Sequence, residues 1–151
     1  MIYCIIIMKY KTVKTNSIKL DNEQKNLIKD ELLKLSNSCE LSCATAFKIA
    51  GKLKIPVINV GKTADSMNYK FINCQLGLFG RGKKGKNRPE KPKFKTLPNK
   101  SALQNAICKS LVKKRLPCKK AFQIASDLNI NKLQVVDECK YKISDCQLGA
   151  F

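Results

Sequence analysis

Residues 49–60 have the sequence IAGKLKIPVINV, and this stretch is the most informative one for predicting the fold. The same pattern, Ile-Ala-x-x-Leu-x-Ile-x-x-x-x-Val, returns as IASDLNINKLQV over residues 124–135. Two helices joined by a tight turn would place the alanine at the helix crossing and the later apolar residues on the contact face. The turn would fall at Lys54 and at Asn129, where a left-handed backbone is favoured, and Asn adopts it more readily than Lys.

The repetition extends to both sides of this stretch, which makes chance a poor explanation. Downstream, CQLGLF at residues 74–79 matches CQLGAF at residues 146–151. We expect the glycine of each tail to permit a turn and its leucine and phenylalanine to close the core of the copy that they end. Upstream, apolar residues spaced by three or four predict a first helix in each copy. These residues are Ile28, Leu32 and Leu35, and Leu103, Ile107 and Leu111.

Two polar pairs predict where the first helices begin. Ser101 with Gln104 has the spacing of a capping box, and Asp21 with Gln24 is a looser version of it. The next helix of each copy is expected to begin near a cysteine, Cys43 or Cys118.

The repeated run resembles the helix-turn-helix core of bacterial winged-helix DNA-binding regulators. The resemblance implies a mostly α protein of two tandem tri-helical helix-turn-helix-like modules, each with room for a short β wing or tail. It also implies that the second helix of each motif, residues 56–68 and 131–140, lies in the major groove. The polar residues expected on its outward face are Asn59, Lys62, Lys132 and Gln134.

Each of these side chains has an alternative interpretation as an ordinary solvated position, and tri-helical modules also serve as platforms for protein partners. Asn and Gln can pair with adenine, and Lys can reach guanine or phosphate. Asp137 and Glu138 lie in the second recognition segment and would repel phosphate if they faced it. The two modules are therefore not expected to be equivalent.

A basic segment separates the copies and predicts four regions in the chain. We expect an N-terminal extension at 1–18, modules at 19–80 and 101–151, and a flexible basic linker at 81–100. The linker holds nine basic residues and one acidic residue. Its cations suit phosphate contacts, although charged segments are often only soluble spacers. The candidates for phosphate contact are Arg81, Lys83, Lys84, Lys86 and Arg88.

Composition favours an anionic partner and gives little support to catalysis. The chain carries 30 basic and 11 acidic residues, a net charge of +19, and no histidine. A low-GC genome would also encode such a lysine-rich chain without a polyanion partner. No arrangement of paired carboxylates or of an activated nucleophile is recognisable, so we expect a non-enzymatic DNA-binding protein, a transcriptional regulator of double-stranded DNA.

The cysteines support a competing hypothesis. Eight cysteines without an export signal predict reduced thiols or metal ligands rather than disulfides, and hence a cytoplasmic protein. Four recur at equivalent places and could hold zinc or an iron-sulfur cluster, namely Cys43, Cys74, Cys118 and Cys146. The alternative function is then a thiol- or metal-sensing accessory protein that binds another protein or a second copy. Small buried cysteines are the simpler interpretation of the same pattern. No apolar run is long enough to span a bilayer, which takes about 20 residues.

Overall fold

The computed structural model describes residues 21–35, 38–80 and 99–151, and these form mostly helices with short strands. The first copy contains α1 (Asn22–Leu35), β1 (Glu40–Ser42), α2 (Cys43–Leu53), α3 (Val57–Ser66) and β2 (Lys70–Ile72). The second contains α4 (Lys100–Lys109), β3 (Arg115–Pro117), α5 (Cys118–Asp127), α6 (Lys132–Glu138) and β4 (Lys142–Ser144). The order of elements is therefore the same in both copies.

The expected helices are present in both copies, and one expected cap is wrong. The helices α2 and α5 begin at Cys43 and Cys118, as predicted. The start of α4 is fixed by Asn99, whose side chain accepts a hydrogen bond from the backbone N–H of Ala102. Ser101 is therefore already inside the helix, because Asn at the preceding cap position satisfies the helix's first N–H groups equally well.

The tight turn between the paired helices matches the expectation in both copies. Lys54 has φ 53° and Asn129 has φ 49°, so both lie in the left-handed region. The residue after each turn donates its backbone N–H to the carbonyl of the buried alanine. Ile55 donates to Ala50 at 3.0 Å, and Ile130 donates to Ala125 at 2.9 Å. These bonds satisfy carbonyls that the helix end would otherwise leave unpaired.

The strands of each copy flank its paired helices and run parallel. β1 pairs with β2 so that Leu41 lies opposite Phe71, and β3 pairs with β4 so that Leu116 lies opposite Ile143. Two parallel strands need a crossover connection, which the two intervening helices provide. A strand therefore follows the last helix of each copy, as a tail or wing would, but its partner is the strand that precedes the helix pair.

The described residues divide into two compact units. Unit 1 comprises residues 21–35, 38–72 and 148–151, and unit 2 comprises residues 73–80 and 99–147. In unit 1, α1 packs on α2 and α3. The buried side chains of unit 1 include Ile28, Leu32, Leu41, Ile49, Val60 and Leu148.

Unit 2 has a comparable core, to which the tail of the first copy contributes. Leu76 is 1% exposed and belongs to the same cluster as residues of α4, β3, α5 and α6. The other large members of the cluster are Leu103, Ile107, Leu116, Ile124 and Val135. Leu76 thus closes the core of unit 2, whereas we expected it to close the core of its own copy.

Gly80 and Asn99, the described residues on either side of positions 81–98, both belong to unit 2. The compact units therefore group the tails differently from the expected ranges 19–80 and 101–151. Among the residues that the structure describes, no helix is both long and apolar enough to cross a membrane.

Candidate nucleic-acid interface

The first expected recognition helix, α3, presents one of its two candidates to solvent. Lys62 is exposed, but Asn59 is 3% exposed, so the expectation that Asn59 lies on the outward face is wrong. The reason is helical periodicity: Asn59 and Thr63 lie one turn apart on the buried face, next to Val60. The Thr63 hydroxyl donates to the Asn59 carbonyl at 2.9 Å.

In α6, both candidates already form bonds within unit 2. The Lys132 amino group donates to the Gln75 side-chain carbonyl at 2.8 Å and lies 4.6 Å from the centre of the Phe122 ring. The Gln134 side chain accepts from the backbone N–H of Asn131 at 2.9 Å and completes a capping box. Base contact by Lys132 or Gln134 remains a prediction.

The five linker candidates and the expected N-terminal extension lie outside the described residues. This applies to Arg81, Lys83, Lys84, Lys86 and Arg88. Their phosphate contacts remain a prediction from composition alone.

The four repeated cysteines do not form a metal site with other described residues. Cys43 and Cys118 are buried, and Cys74 and Cys146 are half-buried. Within residues 21–35, 38–80 and 99–151, no three Cys, Asp or Glu side chains are grouped so that they could hold a metal ion. The burial of Cys43 and Cys118 agrees with their interpretation as small apolar residues at the starts of α2 and α5.

Sequence reasoning missed a cluster of cations at one edge of unit 2. Val112 and Arg115 exchange two backbone hydrogen bonds, of 2.8 Å and 2.9 Å, across a two-residue turn. The turn consists of Lys113 and Lys114, whose φ angles are 49° and 59°. Positive φ at both central residues defines a type I′ turn, in which Asn-Gly is the usual sequence. Two lysines thus stand at its tip, fully outside the core.

The turn leads directly into the parallel strand pair, which adds two more cations. Arg115 begins β3 and lies opposite Lys142, which begins β4, and adjacent strands are about 4.8 Å apart. All four cations are exposed, and no described carboxylate forms an ion pair with any of them. We call Lys113, Lys114, Arg115 and Lys142 the basic edge.

The described strand pair of unit 1 has no equivalent of the basic edge. At the same place in its strand pair, Glu40 lies opposite Lys70, so one of the two positions is acidic. Elsewhere in unit 1, the Glu31 carboxylate accepts from Lys52 at 2.8 Å and lies 3.5 Å from Lys34. These lysines lower the pKa of Glu31, chiefly through the hydrogen bond from Lys52. Part of the positive charge of unit 1 is therefore neutralised, whereas that of the basic edge is not.

The sequence contains the two clusters of cations that together form the basic edge. KKR at 113–115 and KYK at 140–142 stand at the start of each strand of the second copy, but the first copy has no such clusters at the matching places. What the sequence does not show is that these strands pair, which brings the two clusters together. Tyr141, 40% exposed, lies next to Lys142.

Comparison with known proteins returns no match to any protein-family model, to any characterised protein or to any solved structure.

Proposed function

We propose that the chain is a non-enzymatic protein that binds double-stranded DNA, as a cytoplasmic transcriptional regulator, and that unit 2 makes the principal phosphate contacts through the basic edge. The observation that carries the proposal is the group of four exposed cations that have no carboxylate partner among the residues the structure describes. An anion that approaches this edge meets positive charge that is not already engaged in an ion pair.

The rigidity of the basic edge supports binding of an ordered polyanion. Two of its cations lie on a turn closed by two backbone hydrogen bonds, and the other two lie in paired strands. Their backbone positions are therefore fixed, so less backbone freedom is lost on contact than in a flexible tail. Contacts of this kind orient a protein on a duplex without reading its sequence.

The backbone at Lys113 and Lys114 supports a functional role for the turn. A left-handed residue other than glycine costs about 1 kcal/mol or more, and two such residues stand in succession. Asn-Gly would form the same turn at lower cost. A need for positive charge at the tip of the turn would explain why lysines occupy these two strained positions.

The helix pairs α2–α3 and α5–α6 supply the helix-turn-helix part of the proposal. The left-handed turn at Lys54 and at Asn129 supports it, as does the burial of Ala50 and Ala125. In this proposal Lys62, exposed on α3, contacts DNA directly. The basic edge positions the duplex, and the sequence of residues 81–98 carries further positive charge.

The test is fluorescence anisotropy with mixed-sequence duplex DNA over a series of salt concentrations. The test variant carries Lys113→Gln, Lys114→Gln and Arg115→Gln. The matched control carries Lys25→Gln and Lys29→Gln on α1 and Lys48→Gln on α2, which remove the same charge from exposed positions of unit 1.

Each phosphate contact contributes about 0.9 to the slope of log affinity against log salt. The test variant should therefore lose about 2.7 from the slope of the wild-type chain, and the control should lose much less. Equal losses in the two variants would show that net charge alone drives binding and would refute the role of the basic edge. Absence of binding by the wild-type chain at low salt would refute the DNA proposal and favour a protein partner.

A further inference from the structure

The motif that ends each copy contributes to the unit of the other copy. Asn73–Gly80 follows β2 but belongs to unit 2. Leu148–Phe151, the last four residues of the second motif, follow β4 but belong to unit 1, whereas Cys146 and Gln147 belong to unit 2. We infer that unit 2 carries a docking site for a Cys-Gln-Leu-Gly-x-Phe segment, that unit 1 carries one for the Leu-Gly-x-Phe end of it, and that the tail of a second copy of this chain fits the same sites. The inference is independent of DNA binding.

In unit 2, the tail is held by an apolar anchor and one polar contact. Leu76 is 1% exposed and packs within the cluster that includes Leu103 and Ile107 of α4. Beside it, the Gln75 side-chain carbonyl accepts the 2.8 Å hydrogen bond from Lys132. Phe122 lies under the Lys132 amino group and holds it in place. A buried leucine next to a charge-assisted hydrogen bond provides both affinity and selectivity.

The tail also has an internal shape of its own. The N–H of Gly77 donates to the Cys74 carbonyl at 2.8 Å, and the N–H of Cys74 donates to the Phe79 carbonyl at 3.2 Å. Gly77 has φ 70°, a conformation that other residues adopt only at a cost. In the docked state these bonds close the segment into a loop and satisfy part of its polar backbone.

In unit 1, the corresponding site is defined by close approach to a helix. Leu148 is 2% exposed, and a Cβ added to Gly61 of α3 would overlap its backbone carbonyl. Gly149 lies beside the Ile58 side chain. In the second copy the residue that matches Gly61 is Val136. The close approach of the tail to α3 in unit 1 therefore depends on the absence of a side chain at residue 61.

The chain enters each tail through a residue with a left-handed backbone, at a place where a change of conformation would direct the tail to another molecule. Asn73 has φ 49°, and Asp145, at the matching place, has φ 50°. In a swapped dimer the same docking contacts would form between two molecules, and the backbone at Asn73 and Asp145 would adopt another conformation. Within one molecule the tail has an effective concentration in the millimolar range, so exchange with a second copy is expected only when the chain's own tail is weakened or the protein is very concentrated.

The first experiment uses a fluorescent peptide of residues 72–80, INCQLGLFG, as the tail of a second copy. It is titrated under reducing conditions with the wild-type chain and with the full chain carrying Leu76→Ala. Since the variant's own tail competes poorly, it should bind the peptide at least tenfold more tightly than the wild-type chain does. A peptide with Leu76→Asp is the matched control and should not bind.

Saturable binding of INCQLGLFG to the Leu76→Ala chain, with no binding of the control peptide, supports the inference. Equal binding of both peptides, or no binding by a variant whose circular dichroism shows it folded, overturns it. If Leu76→Ala prevents folding, Gln75→Ala takes its place, since it removes the bond to Lys132 from a half-buried side chain. This chain should bind the peptide more tightly than wild type, and unchanged binding overturns the inference.

Discussion

Replacing Leu76 by alanine provides the most direct check on the assignment of the first tail to unit 2. Leu76 is 1% exposed within the cluster of unit 2, so the substitution removes buried apolar volume and leaves a cavity. Such changes cost about 2–5 kcal/mol. The cost is expected in unit 2, although Leu76 belongs to the first repeat.

Hydrogen exchange read by mass spectrometry locates this loss. A cost of 2 kcal/mol corresponds to roughly a 30-fold loss of protection, since about 1.4 kcal/mol is a factor of ten. The loss should appear in peptides from α4, α5 and α6, and much less in peptides from α1, α2 and α3. Leu78→Ala is the control, because Leu78 lies two residues on in the same tail and is 43% exposed. Loss of protection confined to α1–α3 would refute the assignment of the tail to unit 2.

Three further substitutions test local features of unit 1. Lys54→Gly should raise the melting temperature, with a gain of up to about 1 kcal/mol, because φ at this residue is 53° and glycine adopts that angle without a Cβ penalty; a lower melting temperature would contradict this explanation. Gly61→Ala should reduce protection from exchange in α1–α3 by about 1–3 kcal/mol, because its methyl group meets the Leu148 backbone, and unchanged protection would show that the tail does not dock there. The pKa of Glu31 is lowered in the folded chain, so its ion pair with Lys52 stabilises the fold. This contribution is fully present above the ordinary glutamate pKa of about 4.3. It is lost as the pH falls through the lower pKa of the folded state. The Glu31→Gln chain should therefore lose less stability than wild type in denaturant titrations below pH 4.3, and parallel curves would contradict the role of the pair.

The features that the sequence predicted correctly depend on neighbours in the chain. The spacing from Ala50 to Val60 and from Ala125 to Val135 defines two helices and a turn, and the structure has both turns in the left-handed conformation. Such a pattern is readable because helical periodicity and turn geometry involve residues only a few positions apart.

The features that the sequence could not predict depend on pairing between distant segments. Asn59 appeared to be an outward polar residue, but the packing of α3 buries it. Leu76 is apolar and would suit the core of either unit, so the sequence does not indicate which of the two cores it enters. The basic edge needs Arg115 and Lys142 to be adjacent, and this follows only from the register of strands 27 residues apart. Long-range pairing of this kind leaves little local trace.

Gly80 and Asn99 belong to the same compact unit, although a break between them would separate the two repeats. A protease cut between them, in the segment 81–98, would produce two fragments that each keep one complete repeat. Each fragment would still hold a piece of the other's core, Leu76 in one direction and Leu148 in the other. The nicked protein is therefore expected to stay together as a non-covalent pair, and two separately expressed halves should reconstitute the whole. The peptide bond that joins the repeats is then dispensable for their association.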